Sequence, residues 1–182
     1  MALTDEKLMQ GVKSGTLDMA ADLFDRHNKR LYNFFVKSTG DRDSSADLVQ
    51  NTFMRMIKYK HTYNGHKAFL SWFYQIARNV CADHFRKQKM KYAEDAETER
   101  IVDRSLNREE EIVESEMYQR LNKSLLMLNE DSRQVLIMAR YQKMKYERIA
   151  EVLDSSVPAV KVKVHRAIKK LKEYYFELEK AE

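Results

Sequence analysis

Between Val157 and Lys172 the chain carries six Lys and Arg residues and no carboxylate. Counted at 100° per residue, Val157, Val160, Val164, Ala167, Ile168 and Leu171 form the apolar stripe of a helix. The face away from the stripe holds Val162, His165, Arg166 and Lys169, flanked by Lys161, Lys163, Lys170 and Lys172. A helix of this kind fits the major groove of duplex DNA, where Arg donates two hydrogen bonds to a guanine edge and Lys reaches phosphates. A basic helix alone is more often a solvated face. The residues just before it decide the matter. Tyr146 to Leu153 reads as a short helix, Asp154-Ser155 as a tight turn, and Ser156 as an N-cap that leaves Pro158 in the first turn, where proline is tolerated. Two helices joined by so short a turn make a helix-turn-helix. Its candidate DNA contacts are Ser156, Lys161, Val162, Lys163, His165, Arg166 and Lys169.

A second cluster lies in the N-terminal half. Phe69, Trp72, Phe73, Tyr74 and Phe85 crowd one segment, with Tyr59 and Tyr63 just upstream. Phe69, Trp72, Phe73 and Ile76 are expected in a core. Asn79, Asp83 and Arg86 fall at i, i+4 and i+7, so they share one helix face. A core does not want that trio; an interaction surface does. Lys87, Lys89 and Lys91 follow, able to contact phosphates. The loop Tyr63-Asn64-Gly65-His66 supplies aromatic and polar groups of the sort that hold an unstacked base in single-strand binders.

Other chemistry is poorly supported. Cys81 and His84 lie one turn apart, but no second ligand pair has zinc spacing. No Gly-rich phosphate loop or nucleophile motif occurs, and Glu109-Glu110-Glu111 reads as solvated charge. No catalytic, metal or cofactor site is expected.

The elements that must hold these faces are helices. Of 182 residues only four are Gly and one Pro, too few for a sheet protein rich in turns. Helical spacing is read over Thr4 to Lys13, Leu17 to Lys37, from a cap at Asp43 or Ser44 to Lys60, and Ala68 to Met90; it resumes at Glu116. The fold class is therefore all-α, as two small domains, 1–91 and 116–182. Between them residues 92–115 lack a sustained apolar stripe and read as a flexible acidic linker, able to span up to about 80 Å if extended. Charge follows the same division: a balance of +7 over 1–91, −7 over 92–117 and +5 over 118–182. Basic blocks favour polyanions. One cysteine excludes an internal disulfide, and neither a signal peptide nor a run of about 20 apolar residues is seen, so a cytoplasmic protein without membrane insertion is expected.

Three motifs in order carry a family resemblance. The run Phe69-Leu70-Ser71-Trp72-Phe73-Tyr74-Gln75-Ile76-Ala77-Arg78-Asn79, with Asp83 and Arg86, resembles the second conserved region of extracytoplasmic-function sigma factors of the sigma-70 superfamily. Ser45-Ala46-Asp47-Leu48-Val49-Gln50-Asn51-Thr52-Phe53 resembles their polymerase-binding helix. Leu128, Arg133, Tyr146-Glu147-Arg148-Ile149-Ala150 and Val160-Lys161 through Arg166-Ala167 resemble their region four. The resemblance implies a transcription initiation factor that directs core RNA polymerase to promoters and helps melt them. It implies that Asp47, Gln50, Asn51 and Met54 grip the clamp helices of the largest polymerase subunit, with Val49 and Phe53 turned to the core. The loop Tyr63, Asn64 and His66, with Asn79, Asp83, Arg86 and Lys87, would read the melted minus-ten element. The helix-turn-helix would read the minus-thirty-five element near the polymerase flap, and an anti-sigma factor is implied as a further partner. The chain departs from the family in having Asn129 where proline is usual, Asp154 where glycine is usual, Val162 and Pro158-Ala159 in the recognition helix, and Asn51 where an acid is common. A stand-alone helix-turn-helix regulator is the alternative; it accounts for 140–175 and not for the Asn79-Asp83-Arg86 face.

Overall fold

A computed structural model of the protein describes residues 3–94 and 116–181. Every regular element among them is helical. Most of the expected linker lies outside the described residues; its first three positions belong to the fourth helix, which runs on to Glu94.

The N-terminal half packs α1 (Asp5–Ser14), α2 (Asp18–Thr39), α3 (Arg42–Lys58) and α4 (Phe69–Glu94), with one 3-10 turn, Lys60–Thr62, ahead of α4. Thr4 caps α1 by accepting the Lys7 N–H at 3.3 Å. The break between α2 and α3 comes from Gly40, which closes α2 in a left-handed conformation (φ 74°). Asp41 then becomes the first extended residue, so it caps α3 in place of the expected Asp43 or Ser44, accepting the N–H groups of those two residues. Gly40 serves packing as well, since a Cβ there would stand 2.7 Å from Leu126 of the other half.

Phe34, Phe35, Phe69 and Phe73 are fully buried in the core of this bundle. The Phe69 and Phe73 rings stack at 5.2 Å and Phe53 meets Phe73 at 5.0 Å. Such aromatic pairs contribute about 0.5–1.5 kcal/mol each beyond area burial. His27 completes the cluster on the α1 side, with Nε2 2.8 Å from Asp5 Oδ2. Burial lowers its pKa, opposed by the Asp5 charge.

The C-terminal half consists of α5 (Glu116–Met127), α6 (Glu130–Leu136) running into one π turn (Ile137–Tyr141), α7 (Tyr146–Leu153) and α8 (Val157–Ala181). Asn129 takes over the start of α6: its side chain accepts the Ser132 N–H at 2.8 Å, so a proline there is dispensable. The buried Arg133 closes the free carbonyls at the end of α5, bonding Leu126 O at 2.9 Å and Leu128 O at 2.7 Å. Asp154 adopts the left-handed conformation (φ 48°) in the turn between α7 and α8, which Asp tolerates better than most residues. Ser156 accepts the Ala159 N–H at the start of α8, and Val160, Val164 and Ala167 bury its inner face.

The two halves are docked, α7 against α4 and the end of α6 against α2. Polar groups cross the contact at several points. Gln142, only 4% exposed, sits at its centre. Its Oε1 accepts from Arg30 Nε at 2.8 Å and from the Tyr74 hydroxyl at 3.0 Å, while its Nε2 donates to Arg30 O at 3.0 Å. The Gln142 carbonyl accepts from Arg30 Nη2 as well. Arg133 donates to Ser38 O, Arg78 to Gln134 at 2.8 Å, and Gln75 to Glu151 O at 3.0 Å.

Candidate nucleic-acid and polymerase interfaces

Three surfaces carry the residues singled out in the sequence. On α3, Asp47, Gln50, Asn51 and Met54 are all exposed, Met54 at 67%. They follow i, i+3, i+4 and i+7, so one stripe faces solvent while Leu48, Val49, Thr52, Phe53 and Met56 are buried behind it. Among the described residues, the stripe's one side-chain hydrogen bond runs from Arg55 Nε to Asn51 Oδ1, at 3.1 Å.

On α4, Asn79, Arg86 and Lys87 are exposed and Asp83 is half-buried. Asp83 is not a free acceptor. Its Oδ2 lies 2.7 Å from Arg55 Nη2 and its Oδ1 2.9 Å from Arg86 Nη2. The Arg55 hydrogen bond, opposed by burial and reinforced by the charges of Arg55 and Arg86, holds its pKa below the usual carboxylate value. In the preceding loop, Asn64 and His66 are exposed, and Asn64 Oδ1 accepts the His66 N–H at 3.0 Å around Gly65 (φ 75°). Tyr63 corrects the expectation. It is 2% exposed, with its ring 5.3 Å from Trp72 and 6.4 Å from Phe69. Lys13 of α1 donates to its carbonyl at 2.8 Å. Here Tyr63 is a wedge under the loop, inaccessible to a base. The sequence reading missed this because α1, which covers it, is 50 residues away.

On α8, Ser156, Lys161, Val162, Lys163, His165, Arg166 and Lys169 are all exposed, Val162 at 48%. None of its four cations on this face (Lys161, Lys163, Arg166, Lys169) forms an ion pair among the described residues; Lys170, off the face, pairs with Glu173 at 3.0 Å. The face is thus a set of unneutralised donors on a rigid helix.

Docking places two of these faces across one cleft of about 520 Å³, with Arg78, Asn79 and Ala82 on the α4 side, Lys163 and Arg166 on the α8 side, and the start of α6 as floor. That volume suits a small ligand, not a duplex. Three residues that matter here were not picked out from sequence: Arg30, Gln142 and Arg55. Arg30 carried a weak signal, a charge bordering the apolar stripe of α2.

A helix-turn-helix with an unneutralised basic helix, joined to a helical bundle with a polar and basic face, defines a two-domain DNA-binding protein. Residues 23–90 match the family model "Sigma-70 region 2" and residues 118–171 match "Sigma-70, region 4". The chain belongs to the sigma-70 family of RNA polymerase sigma factors, in its extracytoplasmic-function (ECF) group. It is 26% identical over 175 residues to the ECF RNA polymerase sigma factor SigW of Bacillus subtilis, covering 91% of this chain and 94% of that one. It is 29% identical over 157 residues to SigX of the same organism, covering 84% and 81%. Among solved structures it resembles the sigma factor RpoE in complex with the anti-sigma factor NepR from Bartonella quintana (TM-score 0.70, 22% identity, 85% of this chain and 94% of that one). It also resembles CnrH in complex with the cytosolic domain of CnrY (TM-score 0.68, 23% identity, 93% and 95%). At these identities the two structures speak for the fold. The protein is a transcription initiation factor. Among the described residues no helix is long and apolar enough to cross a membrane.

Proposed function

We propose that the three surfaces divide the work of initiation. The stripe Asp47, Gln50, Asn51 and Met54 docks on the clamp helices of core polymerase. Asn79, Arg86 and Lys87, with Asn64 and His66 of the loop, engage the melted minus-ten strand, and the α8 face reads the minus-thirty-five duplex beside the flap. Residues 1–91 and 116–182 act as the two modules and 92–115 as their tether, which makes the second contact intramolecular once the first is made. An anti-sigma factor that holds the halves together fits the compact arrangement. The RpoE neighbour was solved with such a partner. A cytoplasmic location follows from work on polymerase.

The observation that carries this reading is the cleft. The α4 and α8 faces are exposed yet share a space too small for a duplex, while the α3 stripe is open to solvent. Such a chain meets polymerase first and DNA after its halves separate. A stand-alone regulator needs its recognition helix available without a partner. The test is run-off transcription with core polymerase on a promoter library, alongside duplex binding by the free chain. Specific start sites with core, and weak, steeply salt-dependent binding without it, are expected. Tight sequence-specific binding by the free chain, equal to that of holoenzyme, refutes the division of labour.

A further inference from the structure

We infer that Arg55 is a positioning residue that ties the polymerase-facing stripe of α3 to the promoter-reading face of α4; this rests on the assignment of those two faces above. A continuous chain of polar contacts connects them. Asn51 Oδ1 accepts from Arg55 Nε at 3.1 Å, Arg55 Nη2 forms an ion pair with Asp83 Oδ2 at 2.7 Å, and Asp83 Oδ1 accepts from Arg86 Nη2 at 2.9 Å. Arg55 is the member of α3 that reaches across to α4, where it meets Asp83. Its planar fork makes this feasible, since Nε and Nη2 bond different partners from one rigid plane.

The charge arrangement says what the chain is for. A bare carboxylate on a DNA-reading face repels phosphates. Asp83 is not bare: each oxygen takes one guanidinium, so the cluster carries a net positive charge. Asp83 is therefore a bracket, not a reader of bases, and the group it presents is Arg86, whose side chain is 73% exposed. An untethered Arg loses about 2 kcal/mol of rotamer entropy when fixed on a ligand. Holding one edge of Arg86 in advance removes part of that loss. The ion pairs themselves are partly exposed, at 28% and 30% for the Arg55–Asp83 pair, and pairs of that kind add little to stability. Their effect belongs to alignment. At the other end, Asn51 lies in the stripe offered to polymerase. A polymerase group that engages the Asn51 amide changes what holds Arg55, and with it the bracket under Arg86.

The test uses the full chain with core polymerase and the variants Arg55→Gln, Arg55→Lys, Arg86→Ala and the double Arg55→Gln/Arg86→Ala. The readouts are melting temperature, core retention, salt dependence, and base preference on premelted bubble templates randomised across the downstream element. Arg55→Gln is expected to keep its melting temperature and core retention and to flatten the same base preference that Arg86→Ala flattens. The loss should be roughly tenfold in discrimination, equivalent to ~1.4 kcal/mol. The double variant should be no worse than Arg86→Ala alone, because the two residues act as one unit. Lys keeps the charge but not the fork, so Arg55→Lys should fall between. An unchanged preference in Arg55→Gln while Arg86→Ala loses it overturns the inference, as does an additive double variant. A salt slope smaller by about one with the preference intact also overturns it, since Arg55 would then be a phosphate contact itself. If Arg86→Ala is silent, the promoter assignment of α4 fails and takes this inference with it.

Discussion

Replacing Gln142 by Ala should open the protein. Among the described residues the side chain bonds to the other half: to Arg30 Nε, the Tyr74 hydroxyl and Arg30 O. Tyr74 is 1% exposed, and Gln142 is its recorded partner. Truncation strands that hydroxyl in the docked state, while separation of the halves hydrates it. Leaving such a donor unsatisfied costs about 1–3 kcal/mol, and loss of the charged Arg30 bond brings the total to roughly 2–4 kcal/mol. That is about a 30- to 1,000-fold shift from docked to separated. A water entering the vacated space would recover part of it, which favours the lower end. Neither half should lose stability of its own, since the backbone bond from Gln142 N to Ile137 O survives the change. The assay is single-molecule energy transfer between dyes on Lys58→Cys and Lys172→Cys, both exposed positions. The native Cys81 is replaced by Ala in the labelled chains, because it is buried beside Glu130, Arg133 and Gln134 of the other half and separation would bare it. The distance distribution should broaden and lengthen, and upstream duplex binding by the free chain should rise in proportion. Tyr74→Phe keeps the Arg30 bonds and should shift the balance by only about 0.5–1.5 kcal/mol. An unchanged distance distribution in Gln142→Ala would show that these bonds do not hold the halves together. A longer distance accompanied by a lower melting temperature would mean unfolding, not opening.

Three further outcomes are expected. Arg166→Ala should cost roughly 1–3 kcal/mol and relax preference at one upstream base pair, measured by holoenzyme binding to a library of minus-thirty-five variants. Asn79→Ala should spare upstream recognition and slow promoter opening, and a premelted bubble should restore only part of its activity; full restoration would mean that Asn79 contacts no unpaired base. Asp41→Ala should destabilise the N-terminal bundle by about 0.5–2 kcal/mol through loss of the α3 cap, read from chemical denaturation. Burial raises the Asp41 pKa, but hydrogen bonds from the Ser44 hydroxyl and from the Ser44 and Asp43 N–H groups outweigh it, so the folded value lies below the usual one. The resulting stability is present above the unfolded pKa and disappears as pH falls through the folded value. The wild-type chain should therefore lose stability in that acid range and the Ala variant should lose less, with convergence of the two at low pH as the check.

Much of this protein is local and periodic, and such features can be read from sequence. Helix spans follow from the 3.6-residue spacing of apolar side chains, and the outward stripes of α3 and α8 follow from the same spacing, because a helix has one buried side wherever it packs. The left-handed turn at Asp154 and the cap at Ser156 depend only on neighbouring residues. The start of α3 was misplaced by two or three residues because three candidate caps, Asp41, Asp43 and Ser44, stand almost adjacent, and the Gly40 turn selects among them.

What tertiary structure alone decided involves single polar groups that meet across long stretches of chain. Gln142 and Arg30 are 112 residues apart, Ser71 and Glu151 are 80 apart, and no periodicity announces either pair. Nothing in the sequence sets Arg55 apart; α4 laid beside α3 brings Asp83 to it. Tyr63 read as a loop aromatic open to a base until α1 crossed beneath the loop and sealed it. Apolar patterning tells which side of a helix is buried, because burial needs only a non-specific loss of water. It does not tell what covers that side, because hydrogen bonds and ion pairs are directional and satisfied by particular atoms that only the docked fold brings within reach.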